Sequence, residues 1–352
     1  MVGGEAGGLR VSRNILMGTL RVLVAVGLLA FVASRVHLDD WVGEDGGTQQ
    51  GLRTLLSTAR LELILGAWAL YHVSILTTSW RWWILLRAVD VQIPFRRALG
   101  LKWISLTFSQ VIPGLTGGDL VIIGLMMKET DHRARAVASL VMDRVIGLGT
   151  LLLLALVASL FVPAIKGPFD SYALAWWLGA VGAVGVVGAF LYAHSAPRKL
   201  AAVRWVVKRL PLRESLASLD EAFLAYRHRP GAVLMATGLS VVNHLSILAC
   251  IGLFARSLGD SSPPSFFLAV MPIVQMVSGL PIAPAGWGVG EAGFALAFKK
   301  YAVGAAPAAL ETLGITASVL YRINAIVSSL PGAVIMAVWK RKARPAESET
   351  SG

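Results

Sequence analysis

Val111-Ile112-Pro113-Gly114-Leu115-Thr116-Gly117-Gly118-Asp119 interrupts an otherwise apolar stretch, and how it is read decides the fold. Proline lacks the amide donor a helix needs, and paired glycines carry the largest backbone entropy, so a helix entering this run stops there. A second run does the same much later: Pro281-Ile282-Ala283-Pro284-Ala285-Gly286-Trp287-Gly288-Val289-Gly290-Glu291. Each ends in one carboxylate, and each is followed by an apolar helix carrying one arginine, Arg144 or Arg322. At membrane depth, backbone released from helical bonding is tolerated only when it is buried in protein or lines a cavity. A pair of such broken segments in corresponding halves of a chain is a pointer to a transport site.

Composition puts the chain in a bilayer. Its 352 residues are 56% hydrophobic and 15% charged, with a mean hydropathy of +0.68. Several runs reach the roughly 20 apolar residues that span a hydrocarbon core of about 30 Å. A net charge of +12 would suggest nucleic acid in a soluble protein, but no aromatic-basic platform or DNA-reading motif accompanies it. The cations collect in loops instead, as the positive-inside bias expects, so no nucleic-acid partner is predicted. Cys250 is the single cysteine, which excludes an intrachain disulfide and a cysteine-based metal site. Gly288-x-Gly290-x-x-Gly293 has the spacing of a dinucleotide fingerprint, but no βαβ unit surrounds it, and no cofactor is implied. Asp39-Asp40 and Glu44-Asp45 read as an exposed acidic loop rather than a cation site.

Full spans are predicted over Ile15–Ala33, Leu61–Ser79, Ala138–Phe161, Ala173–Ala193, Ala232–Phe254 and Gly314–Val338. The broken segments cover about Ala98–Met127 and Ser265–Lys300. The first span follows Arg10 and Arg13 and is longer than a signal-peptide core, so it reads as uncleaved. Residues 80–102 carry Arg81, Arg87, Arg96, Arg97 and Lys102, the 194–231 stretch is richer still, and Lys340, Arg341, Lys342 and Arg344 follow the last span. These loops read as cytoplasmic, and the acidic 34–60 loop and residues 162–172 as external.

If either broken segment crossed the membrane once, the two richest basic loops would fall on opposite sides. If each is a re-entrant hairpin, every basic loop lies inside. Two narrow spans per segment preserve the same parity. The predicted fold class is therefore an all-α multi-pass membrane protein. It has about six full spans and two oppositely oriented re-entrant or broken helical hairpins in an inverted-repeat arrangement. One polytopic domain covers 1–344, with a first repeat at about 61–161, a second at about 232–338, and a disordered tail over 345–352. Both termini are placed on the cytoplasmic side of the cytoplasmic membrane. Residues 198–229 mix cations with apolar residues at helical spacing, which suits either attraction to anionic lipid or docking of a lipid-biosynthesis enzyme.

The candidate substrate-path residues are Pro113, Gly114, Gly117, Gly118 and Asp119 with Asp143 and Arg144 in the first half. In the second half they are Pro284, Gly286, Gly288, Gly290 and Glu291 with Arg322. A bare carboxylate in hydrocarbon is costly, so Asp119 and Glu291 should face a cavity, a partner or backbone N–H groups. Each also suits the N-terminal turn of the returning half-helix. Parity sets Arg144 and Arg322 beside the mouths of their own hairpins, where a guanidinium suits a phosphate through bidentate bonds. The alternative is an internal ion pair, of Asp143 or Asp119 with Arg144 and of Glu291 with Arg322. His72 and His244 read as satisfied polar contacts between helices, and Trp80, Trp82 and Trp83 around Arg81 as an interfacial aromatic belt. No nucleophile with a base and oxyanion donors can be assembled from spacing.

Pro113-Gly114-x-x-Gly117-Gly118-Asp119, the Asp143-Arg144 pair within Ser139–Gly147, and the Leu280–Glu291 run resemble the lysylphosphatidylglycerol synthase transmembrane-domain family. Those flippase-like proteins include relatives described as dolichol-phosphate glucose synthase-like. The resemblance runs from about Ile15 to Val338. It implies an integral cytoplasmic-membrane protein that moves a phospholipid or lipid-linked intermediate between leaflets, an aminoacylated phospholipid in the best-understood branch. The expected partner is a membrane lipid, either an anionic phospholipid or a polyprenyl-phosphate head group. Where the family often carries an arginine, this chain has Ile122, and in place of Gly-Val-Arg-Glu it reads Gly288-Val289-Gly290-Glu291. Under the resemblance, Arg144 and Arg322 must then supply the anion contact. A chain without the family's soluble aminoacyl-transferase domain is expected not to synthesise lysyl-phosphatidylglycerol itself. Two other functions stay open: a membrane-embedded transferase acting on polyprenyl-phosphate sugars, and a non-catalytic accessory subunit of an envelope pathway.

Overall fold

The computed structural model describes residues 37–42, 48–110, 117–127, 130, 132–161, 224–279 and 286–342. The predicted spans Ile15–Ala33 and Ala173–Ala193, residues 198–223, Pro113, Gly114, Pro284 and the 345–352 tail lie outside them. A two-residue antiparallel pair, β1 (Trp41–Val42) and β2 (Thr48–Gln49), leads into the short helix α1 (Leu52–Ser57). The acids beside it are used locally: Asp39 pairs with Arg53 at 2.9 Å, and Asp40 accepts the Gly51 N–H at 2.8 Å.

Among the described residues, eight longer helices follow in two runs of the same order. The first run is α2 (Leu61–Ala88), α3 (Phe95–Ser109), α4 (Gly117–Met126) and α5 (Arg133–Phe161); the second is α6 (Pro230–Ser257), α7 (Pro264–Ser278), α8 (Val289–Tyr301) and α9 (Pro307–Lys342). Among the described residues, α2, α5, α6 and α9 are long and apolar enough to cross a membrane. At 1.5 Å per residue, the 28 residues of α2 or α6 reach about 42 Å. The broken segments are the shorter pairs α3–α4 and α7–α8. Pro94 precedes α3 and Pro263 precedes α7, each with φ −68° and an extended ψ. A ring-locked φ and a missing donor keep the preceding helix from running on into either segment.

Where these pairs start and finish follows from three contacts. Asp90, after α2, meets Arg135 in the first turn of α5 at 3.6 Å, so α3–α4 begins and finishes at one end of the bundle. Ser261, after α6, donates to the Val303 carbonyl before α9 at 3.1 Å, so α7–α8 also begins and finishes at one end. The Arg60 N–H donates to the Ser257 carbonyl at 3.1 Å, which sets that second end beside the start of α2 and hence opposite the first. Helix α9 runs antiparallel to α3: Ser329 accepts from Thr107, and Ile335 lies beside Gly100.

Each half has its own apolar core. Trp82, Leu86, Leu101, Ile122, Met126 and Leu140 fill the first, and Ile251, Phe266, Phe267, Met271, Phe298 and Leu310 the second. A third cluster joins them, with Ala67, Tyr71 and Ile75 of α2 against Cys250 and Phe254 of α6 and Ala325 of α9. At Gly118, α4 lies close against α3. A Cβ there would collide with the Ser105 carbonyl and the hydroxyls of Ser105 and Ser109, so a side chain would push the helices apart.

The stretch read as an interfacial belt is largely internal. Trp82 is fully buried and donates to Ser139 at 3.1 Å, Trp83 donates to the Ile93 carbonyl at 2.9 Å, and only Trp80 is exposed. The predicted span ends at Ser79 because Arg81 breaks the apolar window, yet the helix continues to Ala88. Arg81 is tolerated there because its charge is neutralised inside the bundle.

Candidate functional site

The two breaks set their acids at the same helical position. Asp119 is the third residue of α4 and Glu291 the third of α8. Each meets the arginine of the helix that follows. Arg144 Nε donates to Asp119 Oδ2 at 2.6 Å, and Arg322 Nε donates to Glu291 Oε1. The arginines therefore sit at the inner ends of the broken segments and not beside their mouths. Helical rise explains the correction: Arg144 lies about 16 Å along α5 from Arg133, level with the start of α4.

The second pair is tightly bound. Glu291 Oε2 accepts the Gly288 N–H at 2.6 Å, the reach-back that caps a helix N-terminus. Gly288 has φ +79°, a backbone shape that side chains rarely adopt. Arg322 also donates to the Gly286 carbonyl at 2.6 Å and to Glu291 Oε2 at 3.3 Å, with its guanidinium 4.7 Å from the centre of the Trp287 ring. Gly290 leaves the room this requires, since a Cβ there would lie 2.6 Å from Arg322 Nη2.

The first pair is looser. Arg144 is 36% exposed, against 14% for Arg322. Its one hydrogen bond among the described residues goes to Asp119, and Asp119 Oδ1 is buried without a partner among them. The pair borders a cavity of about 180 Å³. The hydroxyl-bearing residues Tyr71, Ser74, Thr78, Ser105 and Ser109 are among those that line it, with Lys102 as a second cation. Gly117 and Gly118, both buried, bring α4 against its wall. Glu291 is not among the lining residues; Tyr71 meets Tyr321, the residue before Arg322, edge-on at 5.8 Å.

Asp143 does not pair with Arg144. It accepts from Arg81 Nε at 2.6 Å and from Lys102 Nζ at 3.0 Å, and all three side chains are buried. Arg81 also donates to Ser240 of α6 at 2.9 Å. Charge counting along the chain places Arg81 and Lys102 among the loop cations and so misses both as internal groups. The available signal is stoichiometric: the Asp143-Arg144 neighbourhood offers two acids, Asp119 and Asp143, to one arginine, and a buried acid needs a cation of its own. Ile122 is fully buried in the apolar core of the first half.

Of the two histidines expected to make polar contacts between helices, His244 does so and His72 bonds within its own helix. His72 bonds the Trp68 carbonyl within α2 at 2.9 Å, and His244 bonds the Gly147 carbonyl of α5 at 2.9 Å. Another polar link between α2 and α6 is Asn243 Oδ1, which accepts from Ser74 at 2.7 Å and Thr78 at 2.9 Å.

Compared with known families, residues 18–330 match the model described as the lysylphosphatidylglycerol synthase TM region. No curated protein matches the chain.

Proposed function

The chain belongs to the lysylphosphatidylglycerol synthase transmembrane-region family, and from that premise we propose that it binds the head group of a phosphate-bearing lipid and carries it between the leaflets of the cytoplasmic membrane. The observation that carries this reading is the cavity at the first helix break. A space lined by five hydroxyl-bearing residues, two cations and one carboxylate, inside a membrane-embedded bundle, suits a polar group. Its volume of about 180 Å³ is below the 300–1,000 Å³ typical of pockets that enclose a whole ligand, so a head group fits and the acyl chains stay in lipid.

In this proposal α3–α4 and α7–α8 are re-entrant hairpins of opposite orientation, and the two runs of four helices are an inverted repeat with boundaries near 61–161 and 232–338. The Asp90–Arg135 and Ser261–Val303 contacts at opposite ends of α2 support it. So does the collection at one end of Arg87 and Arg229, which line a shared groove, with Arg135 nearby. That basic end is assigned to the cytoplasm by the positive-inside bias. The tight Glu291–Arg322 pair is the counterpart that loosens as the first pair closes, giving alternating access.

Reconstitution tests the transport reading. Vesicles containing the chain are expected to move fluorescent phosphatidylglycerol or a polyprenyl phosphate faster than protein-free vesicles, and Arg144→Gln to lose most of that excess. No movement of either lipid above the protein-free rate overturns it. Topology is tested separately in a Cys250→Ser background. Cysteines replacing exposed Gln92 and Val303 are expected to react with a membrane-impermeant thiol reagent from opposite sides. Labelling of both from one side overturns the opposed hairpins.

A further inference from the structure

The cavity is not electrically balanced. Arg81, Lys102 and Arg144 are set against only Asp119 and Asp143 in one continuous cluster of described residues. Asp143 is shared between two cations, Arg81 at 2.6 Å and Lys102 at 3.0 Å, so one carboxylate faces two positive charges. Arg144 is matched by Asp119. The cluster thus holds one cation more than it has carboxylates, and of the two that share Asp143 it is Lys102, also 5.1 Å from the centre of the Trp82 ring, that borders the cavity. An uncompensated charge in a buried site is costly until an anion meets it. Asp119 contributes the opposite demand, since its buried Oδ1 lacks a hydrogen-bond donor among the described residues.

We infer that Lys102 sets the charge selectivity of this cavity, which takes a singly anionic phosphodiester head group bearing a hydroxyl donor and rejects one bearing added ammonium groups. The inference rests on the head-group reading above and names its substrate class. The phosphate lies between Lys102 and Arg144, and a head-group hydroxyl donates to Asp119 Oδ1. One negative charge cancels the surplus. A zwitterionic head leaves the surplus in place, and an aminoacylated head, with net positive charge, adds to it. Like charge brought against a buried cation acts as a device against the wrong partner.

The test uses the full chain and three lipids with identical acyl chains: phosphatidylglycerol, phosphatidylethanolamine and lysyl-phosphatidylglycerol. Binding of each is read by native mass spectrometry and movement by vesicle assay. The wild type is expected to bind phosphatidylglycerol at least about tenfold more tightly than lysyl-phosphatidylglycerol, with phosphatidylethanolamine between them. Lys102→Gln, which leaves the Arg81–Asp143 pair in place, is expected to bring the three within about twofold, and Lys102→Arg to keep the order. A flat or reversed wild-type order overturns the inference, as does a Lys102→Gln chain that keeps the full preference. A melting temperature for Lys102→Gln within a few degrees of wild type separates lost selectivity from lost fold. Charge-ordered binding without movement overturns translocation and leaves the selectivity standing. Movement without charge order does the reverse, and absence of both binding and movement overturns both.

Discussion

Replacing Asp143 with alanine is expected to lower the unfolding free energy by about 3–5 kcal/mol, the usual loss when one partner of a buried ion pair is removed. The acid is 2% exposed and holds two cations that are themselves nearly inaccessible. Its loss strands Arg81 and Lys102 inside the first half, where no other carboxylate among the described residues bonds either of them. The effect reaches beyond one helix, because α2, α3 and α5 contribute one member each and Ser240 brings in α6. The companion triple variant Arg81→Met, Lys102→Met, Asp143→Leu is expected to regain most of the loss, since a packed apolar replacement removes the desolvation cost along with the attraction. Denaturant unfolding of the purified chain in detergent checks both. A loss below about 1 kcal/mol for Asp143→Ala would place the triad in the range of exposed pairs and sink the argument.

The second large effect separates the two breaks. Glu291→Ala is expected to destabilise by about 3–5 kcal/mol, because it strands Arg322 and leaves the Gly288 N–H uncapped. Asp119→Ala should cost only about 1–2 kcal/mol, because its partner Arg144 is partly screened by solvent and the substitution also removes an oxygen that is already unsatisfied. For transport the ranking reverses: Asp119→Ala, which changes the wall of the cavity, is expected to abolish lipid movement at a protein level close to wild type. Equal destabilisation by the two substitutions would mean that the looseness of the first pair has no energetic content.

The breaks themselves are legible in the residues alone. Helix α3 ends at Ser109 and α7 at Ser278, each just before a proline- and glycine-rich run, and Gly117, Gly118 and Gly290 at the far ends of those runs already belong to the first turns of α4 and α8. The long apolar runs that form α2, α5, α6 and α9 are legible too, though their ends are not. Arg81 shortens the first of them in a hydropathy window, which counts a cation the same way whether a carboxylate or water meets it. The Asp119–Arg144 and Glu291–Arg322 pairs are among the alternatives that spacing allows, but their depth is not, since it depends on where α4 and α8 begin.

By itself the sequence determined that this is a membrane-embedded helical chain with two matched interruptions, each bearing one acid and one following arginine. Those features are local: they follow from apolar run length, backbone chemistry and spacing along one helix. Only the tertiary structure decided which acid holds which cation. Asp143 and Arg144 are adjacent in sequence, yet consecutive helical positions point about 100° apart, so one faces Arg81 and Lys102 while the other faces Asp119. That divergence leaves Asp143 shared between Arg81 and Lys102, of which Lys102 borders the cavity. It arises from the packing of α2 and α3 against α5, which no spacing along the chain records.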